Sequence, residues 1–157
     1  ILRYFGGYSN RSKLFWSGGH IPLFMSSIIN NKEIEVHGDG SQTRSMAFIT
    51  DIINGTILAM STQKAVGEII NIGNDEEISI IESAKIINNV INPEKDLKVK
   101  YIKMDTLFGN GYKEIMRRKP DLSKARKLLN YKPKVSFIEG IKETYESMMA
   151  NRNKSIN

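Results

Sequence analysis

The sequence predicts an α/β fold. Three observations carry that: short apolar or alternating runs recur between longer stretches of helical period, two Ser-x-x-Glu boxes mark helix starts, and no repeat or low-complexity linker divides the chain. Ile1 to Phe5 reads as a strand, being apolar and aromatic, and a loop rich in Gly, Ser and Asn follows from Gly6 to Gly19. His20 to Asn30 has the apolar spacing of a helix (Ile21, Phe24, Met25, Ile28, Ile29), and Pro22 fits only its first turn. Glu33 to His37 is a short strand, Gly38-Asp39-Gly40-Ser41 a turn, and Arg44 to Ile49 another short strand. Thr50 or Asp51 is placed to cap a helix whose apolar face is Ile52, Ile53, Ile57, Leu58 and Met60. Glu68 to Ile72 reads as a buried strand ended by Gly73-Asn74.

The box Ser79-Ile80-Ile81-Glu82 opens a helix to about Ile91, and Leu97 to Ile102 alternates as a strand. Asp105 to Lys119 is expected as a long irregular loop, longer than compact domains hold without a purpose. Asp121 caps a short helix through Leu129, which Pro133 keeps from resuming. Ser136-Phe137-Ile138-Glu139 starts the last helix, and residues 149–157 form a polar tail.

Composition excludes several classes of function. The 157 residues contain no cysteine, which removes disulfides, zinc–thiolate sites, iron–sulfur clusters and a cysteine nucleophile. No apolar run approaches ~18 residues and no basic-then-apolar leader opens the chain, so the expectation is a cytoplasmic protein without a membrane span. The opening directly on a strand, without methionine, suggests a fragment of a longer product. The formal net charge is +6, but residues 117–134 hold eight of the 23 basic residues and a single acid, Asp121. The basicity is therefore one patch, and no aromatic stacking motif interleaves it, which argues against nucleic acid.

Catalytic and metal signals are absent. Gly38-Asp39-Gly40 supplies two glycines of a G-x-G-x-x-G pattern, but the sixth position is Thr43 and no long helix follows directly. None of the six tyrosines has a lysine four residues on, and His20 and His37 have no flanking carboxylate pair suited to a metal. On spacing alone, His20 reads as a helix cap and His37 as a strand end.

The positive signal is an ordered constellation. It comprises Leu2-Arg3-Tyr4-Phe5, Gly19-His20-Ile21-Pro22-Leu23-Phe24, Val36-His37-Gly38-Asp39-Gly40-Ser41-Gln42-Thr43-Arg44, Thr50-Asp51 and Asn71-Ile72-Gly73. Arg117-Arg118-Lys119-Pro120-Asp121-Leu122-Ser123-Lys124-Ala125 and Leu129-Asn130-Tyr131-Lys132-Pro133-Lys134-Val135-Ser136 complete it. Over residues 1–148 this resembles the C-terminal part of the NAD-dependent epimerase/dehydratase family, the extended short-chain dehydrogenases that act on nucleotide sugars. The UDP-glucuronate decarboxylase and UDP-glucose 4-epimerase branches are the most similar.

The resemblance implies the substrate-binding lobe of such an enzyme, with leftover strands and helices of its NAD-binding Rossmann lobe. The N-terminal Rossmann part, with most of the NAD site and the catalytic Tyr–Lys pair, is not in these residues, so no catalytic residue is assigned here. By the same resemblance Arg44 and Arg118 would hold the substrate diphosphate, with Arg117 the alternative to Arg118, and Gln42 would reach the ribose or phosphate. Planar guanidinium donors suit that role because they bind phosphoryl oxygens bidentately. Glu35 and His37 match the strand beside the base, Leu23 and Phe24 the helix start packed near it, and Tyr4 and Phe5 the strand end near the nicotinamide. Lys124, Arg126 and Lys127 read instead as solvated helix charges. Gly6 stands where many members carry an asparagine that touches the diphosphate. The intact enzyme is expected to be a homodimer acting on a nucleotide sugar, most simply a UDP-sugar. Two other classes stay open: a stand-alone, non-catalytic module for nucleotide sugars or other phosphorylated ligands, and a basic nucleic-acid-binding domain.

Overall fold

The computed structural model describes residues 1–12, 19–109 and 111–154. Its strands form four small sheets rather than one. Strand β1 (Leu2–Tyr4) pairs in parallel with β6 (Ile70–Ile72), and β2 (Gly7–Tyr8) pairs in parallel with β5 (Ala47–Phe48). Strand β3 (Ile34–His37) pairs in parallel with β8 (Val99–Ile102). The fourth sheet has β4 (Thr43–Ser45) at its centre, antiparallel to β7 (Glu77–Ser79) and parallel to β9 (Arg117–Arg118).

The helices are α1 (His20–Ile29), α2 (Ile49–Ser61), α3 (Ile80–Ile91), α4 (Met104–Phe108), α5 (Ser123–Leu129) and α6 (Phe137–Lys154). A turn of 3-10 helix at Gln63–Ala65 links α2 to β6. None of the described helices is long and apolar enough to cross a membrane.

Two apolar clusters hold these pieces. In the larger, α1, α3 and the start of α6 pack with β3 through Phe24, Met25, Ile28, Val36, Ile87 and Ile141. The smaller joins β6, α2 and α5 through Ile52, Ile70, Ile72, Leu122, Leu129 and Tyr131. Strand alternation couples them, because successive side chains leave a strand on opposite faces. In β5, Ala47 enters the smaller cluster and Phe48 the larger. The approach of α2 to β6 requires a glycine: a Cβ on Gly55 would sit 2.6 Å from Cγ2 of the buried Ile72.

Both Ser-x-x-Glu serines cap their helices, and the box is reciprocal only at Ser136. Ser79 Oγ accepts from Glu82 N at 3.1 Å. In the second box Glu139 Oε2 accepts from Ser136 N at 2.9 Å, and Glu139 N donates to Ser136 Oγ at 3.3 Å.

Several expectations are corrected. Arg44 to Ile49 is not one strand: β4 and β5 belong to different sheets, with Met46 between them. Neither Thr50 nor Asp51 caps α2, which starts at Ile49 after Phe48 without a side-chain cap. The buried Asp51 instead accepts from Lys134 N and Val135 N, at 3.0 Å each. His20 opens α1 without capping it, since Gly19 holds the cap position. Asp121 accepts from Ser123 N at 2.8 Å, but the cap position of α5 is Leu122. The 105–119 stretch holds most of α4 and all of β9, and β7 had no counterpart in the sequence reading. The tail is helical to Lys154. Of the opening strand, Ile1 is 80% and Tyr4 55% exposed, while Leu2 and Phe5 are half-buried.

Candidate functional site

Parallel register brings the two expected arginines together. On β4 and β9, Arg44 lies opposite Arg118 and Thr43 opposite Arg117. Because neighbours along a strand face opposite ways, this register sorts the four residues into two sets. Arg44 and Arg118 line a cavity of about 740 Å³, a size suited to a nucleotide-scale ligand. Thr43 and Arg117 bind Glu77: Thr43 Oγ1 donates at 3.0 Å, and Arg117 donates from Nε at 2.7 Å and from a terminal nitrogen at 2.6 Å. The Arg117 guanidinium holds the Glu77 carboxyl down at about 2. Of the two neighbouring arginines, the structure thus brings Arg118 to the cavity and leaves Arg117 outside it.

Arg44 is held in place from several sides. Its NH1 donates to the carbonyls of Thr43 at 2.8 Å and Ile115 at 2.9 Å, and its NH2 donates to Glu114 Oε1 at 2.6 Å. Tyr112 donates its hydroxyl to the other Glu114 oxygen at 3.2 Å. Arg118 makes no ion pair among the described residues.

The start of α1 and the edge of β3 form the rest of the wall. Leu23, Phe24, Glu35, His37 and Gln42 all line the cavity. Gln42 is buried and donates from Nε2 to the His37 carbonyl at 2.9 Å, which fixes the turn between β3 and β4. Glu35 is exposed and pairs with Lys100 at 3.1 Å. The structure separates the other expected pair. Phe5 reaches the cavity; Tyr4 does not, and its hydroxyl is 3.0 Å from Thr56 Oγ1.

At Gly6, φ is +57°, and a Cβ there would collide with the Ser45 carbonyl oxygen. An asparagine at that position has no room in this backbone.

Among the lining residues that the sequence did not assign to the site, Glu114 and His20 stand nearest Arg44 in charge and contact. Glu114 lies in the stretch expected to be an irregular loop, and that loop's unusual length was its signal. His20 had been given a capping role. Its Nε2 is buried without a hydrogen-bond partner, its ring meets Phe24 edge-on at 5.4 Å, and burial with the nearby Arg44 charge pushes its pKa down to about 4. It is therefore a neutral imidazole at pH 7.

The start of α3, which follows the glycine turn in space, is not an anion site of the dinucleotide kind. At α3, Ile80 N donates to Gln42 O at 3.0 Å, Ile81 N to Gly40 O at 3.1 Å, and Glu82 N to Ser79 Oγ. These donors, which would otherwise face a phosphate, are spent on the glycine turn itself. No cluster of three metal-ligating side chains occurs among the described residues.

Parallel strand pairs with helices packed on them fit the α/β class to which the extended short-chain dehydrogenases belong. Comparison with known proteins agrees: residues 1–144 match GDP-mannose 4,6 dehydratase, and the chain belongs to that family. It is 36% identical to UDP-N-acetyl-alpha-D-glucosaminuronate decarboxylase of Bacillus cytotoxicus, over 93% of this chain and 44% of that protein. It is 33% identical to UDP-glucuronic acid decarboxylase 1 of Arabidopsis thaliana, over 90% of this chain and 30% of that protein. Among solved structures, the UDP-glucuronic acid 4-epimerase of Bacillus cereus in complex with UDP-glucuronic acid and NAD is 30% identical. It superposes with a TM-score of 0.81 over 96% of this chain and 45% of that one. The chain thus spans less than half the length of these relatives.

Proposed function

We propose that these residues form the nucleotide-sugar-binding part of an NAD-dependent sugar-nucleotide epimerase, dehydratase or decarboxylase, with a UDP-sugar as substrate. The observation that carries the reading is the pairing of Arg44 with Arg118 across β4 and β9, in a cavity that Leu23 and Phe24 also line. A diphosphate carries at least two negative charges, and two guanidinium groups from rigid strands are matched to it. Leu23 and Phe24 would pack beside the base, with Glu35 and His37 along its edge. Phe5 is the residue here that would face the nicotinamide. NAD would supply hydride chemistry in the intact enzyme, but the glycine turn in this chain feeds a strand and cannot cradle its pyrophosphate, so these residues would bind and orient the sugar nucleotide.

The ion pairs of the basic patch speak against nucleic acid. Arg117 and Lys119 pair with Glu77, Lys124 with Glu68, and Arg126 with Asp75. Lys124 and Arg126, expected to be solvated helix charges, stay about half exposed and each pairs with an acid.

The test is the dissociation constant for UDP in Arg44→Ala and Arg118→Ala. Each should cost about 1.5–3 kcal/mol, the range for hydrogen bonds to charged groups, or one to two decades in Kd. Arg44→Lys should be nearly as harmful if the grip is bidentate. Unchanged UDP affinity in both alanine variants would remove the diphosphate assignment.

A further inference from the structure

Arg44 already holds a carboxylate on the side where an anionic ligand would sit. Glu114 and Arg44 both line the cavity, their side chains are each 17% exposed, and the N–O distance is 2.6 Å. The pairing has a physical cause in the strand register. Arg44 and Arg118 lie directly opposite one another on β4 and β9, and like charges in that arrangement repel. One carboxylate beside them relieves the repulsion, and so does a diphosphate.

The hydrogen bonds divide the guanidinium into a fixed and an exchangeable side. NH1 spends both of its N–H groups on the backbone carbonyls of Thr43 and Ile115, which would hold the planar group in position whatever happens to Glu114. NH2 faces the carboxylate. Losing Glu114 therefore frees donors without releasing the arginine.

We propose that Glu114 is a resident counter-ion of Arg44, which the phosphoryl oxygens of the ligand displace. Glu114 stabilises the empty cavity and competes with the ligand, so it sets affinity by opposition. This rests on the nucleotide-diphosphate reading of the cavity. In any protein of this arrangement, binding and stability would then be traded at a single carboxylate.

The experiment compares wild type, Glu114→Gln, Arg44→Ala and the double variant by calorimetry, with UDP and with inorganic pyrophosphate as separate probes and a thermal melt of each protein. Gln keeps the shape and an acceptor oxygen but removes the charge. Glu114→Gln should melt lower than wild type yet bind both probes roughly 3- to 10-fold more tightly, the scale of one partly screened charge. The double variant should show no gain over Arg44→Ala. Equal or weaker binding of UDP by Glu114→Gln overturns the counter-ion role and leaves the nucleotide reading intact. Tighter pyrophosphate binding by the variant, with no UDP binding in any protein, overturns the nucleotide reading and keeps the counter-ion. If neither probe binds wild type or variant, both readings fall.

Discussion

His20 carries the clearest pH signature of any single side chain here. A histidine held neutral at about 4 in the fold, against an unfolded value near 6.5, binds fewer protons when folded than when unfolded over that interval. Stability contributed by the neutral ring is complete above about pH 6.5 and is lost as pH falls toward 4. The depression corresponds to a loss on the order of 3–4 kcal/mol across the window. The expected outcome is that urea midpoints of wild type fall more between pH 7 and pH 4.5 than those of His20→Asn; parallel falls would show that the imidazole is not the cause. Glu77, held at about 2, makes a separate contribution that persists down to the ordinary carboxylate range and disappears only below it. Neither residue could be ranked from sequence. The two histidines look alike in a string of letters, and only burial, the Phe24 ring and the Arg44 charge distinguish His20. The arginines were different: Arg44 follows a glycine turn and Arg118 precedes a Lys-Pro-Asp, so motif and position were both visible. What could not be read was which of Arg117 and Arg118 faces inward, because that depends on a pairing partner far away in the chain.

At the scale of elements, Asp51 joins two segments more firmly than any cap does. Its buried carboxylate takes two backbone N–H groups from the Lys134–Val135 stretch that leads into α6. Asp51→Ala should therefore destabilise by about 2–4 kcal/mol, since two donors lose a charged acceptor and a buried polar group is left unpaired. Ser79→Ala removes one bond at an exposed helix start and should cost only about 1 kcal/mol. Denaturant titration of both variants measures the contrast, and a smaller effect at Asp51 than at Ser79 would contradict it. The same comparison explains what was legible. Local signals named the serine caps at Ser79 and Ser136, because both partners of each bond lie within four residues. Asp51 was misread as a cap because its partners lie more than eighty residues on, and a propensity rule cannot see them. Short strands such as β7 and β9, two or three residues long, have too little alternation to be recognised without their neighbours.

For the molecule as a whole, apolar side chains are left open on one side. Ile53, Ile57 and Met60 on α2 and Tyr4 on β1 are exposed, beside strands β1 and β6 that form a sheet of only two. Two parallel strands are too few to stand alone as the layer of an α/β fold, which fits a chain spanning less than half of its relatives. The 157 residues on their own are expected to show no saturable NAD binding by calorimetry and no turnover. The donors at the start of α3 are already committed to Gly40, Gln42 and Ser79. Stoichiometric NAD binding would mean that the glycine turn rearranges. Strand pairing has one more consequence, for the time order of folding. Leu2 must find Ile70, Gly7 must find Ala47, and Ile34 must find Val99, each across a long stretch of intervening chain. Such distant partners make loop closure the slow event and favour slow folding over helix-bundle speeds. On a ribosome, β1 emerges before β6, so the edge of β1 that β6 covers stays open until β6 has been synthesised and needs protection from aggregation for that interval.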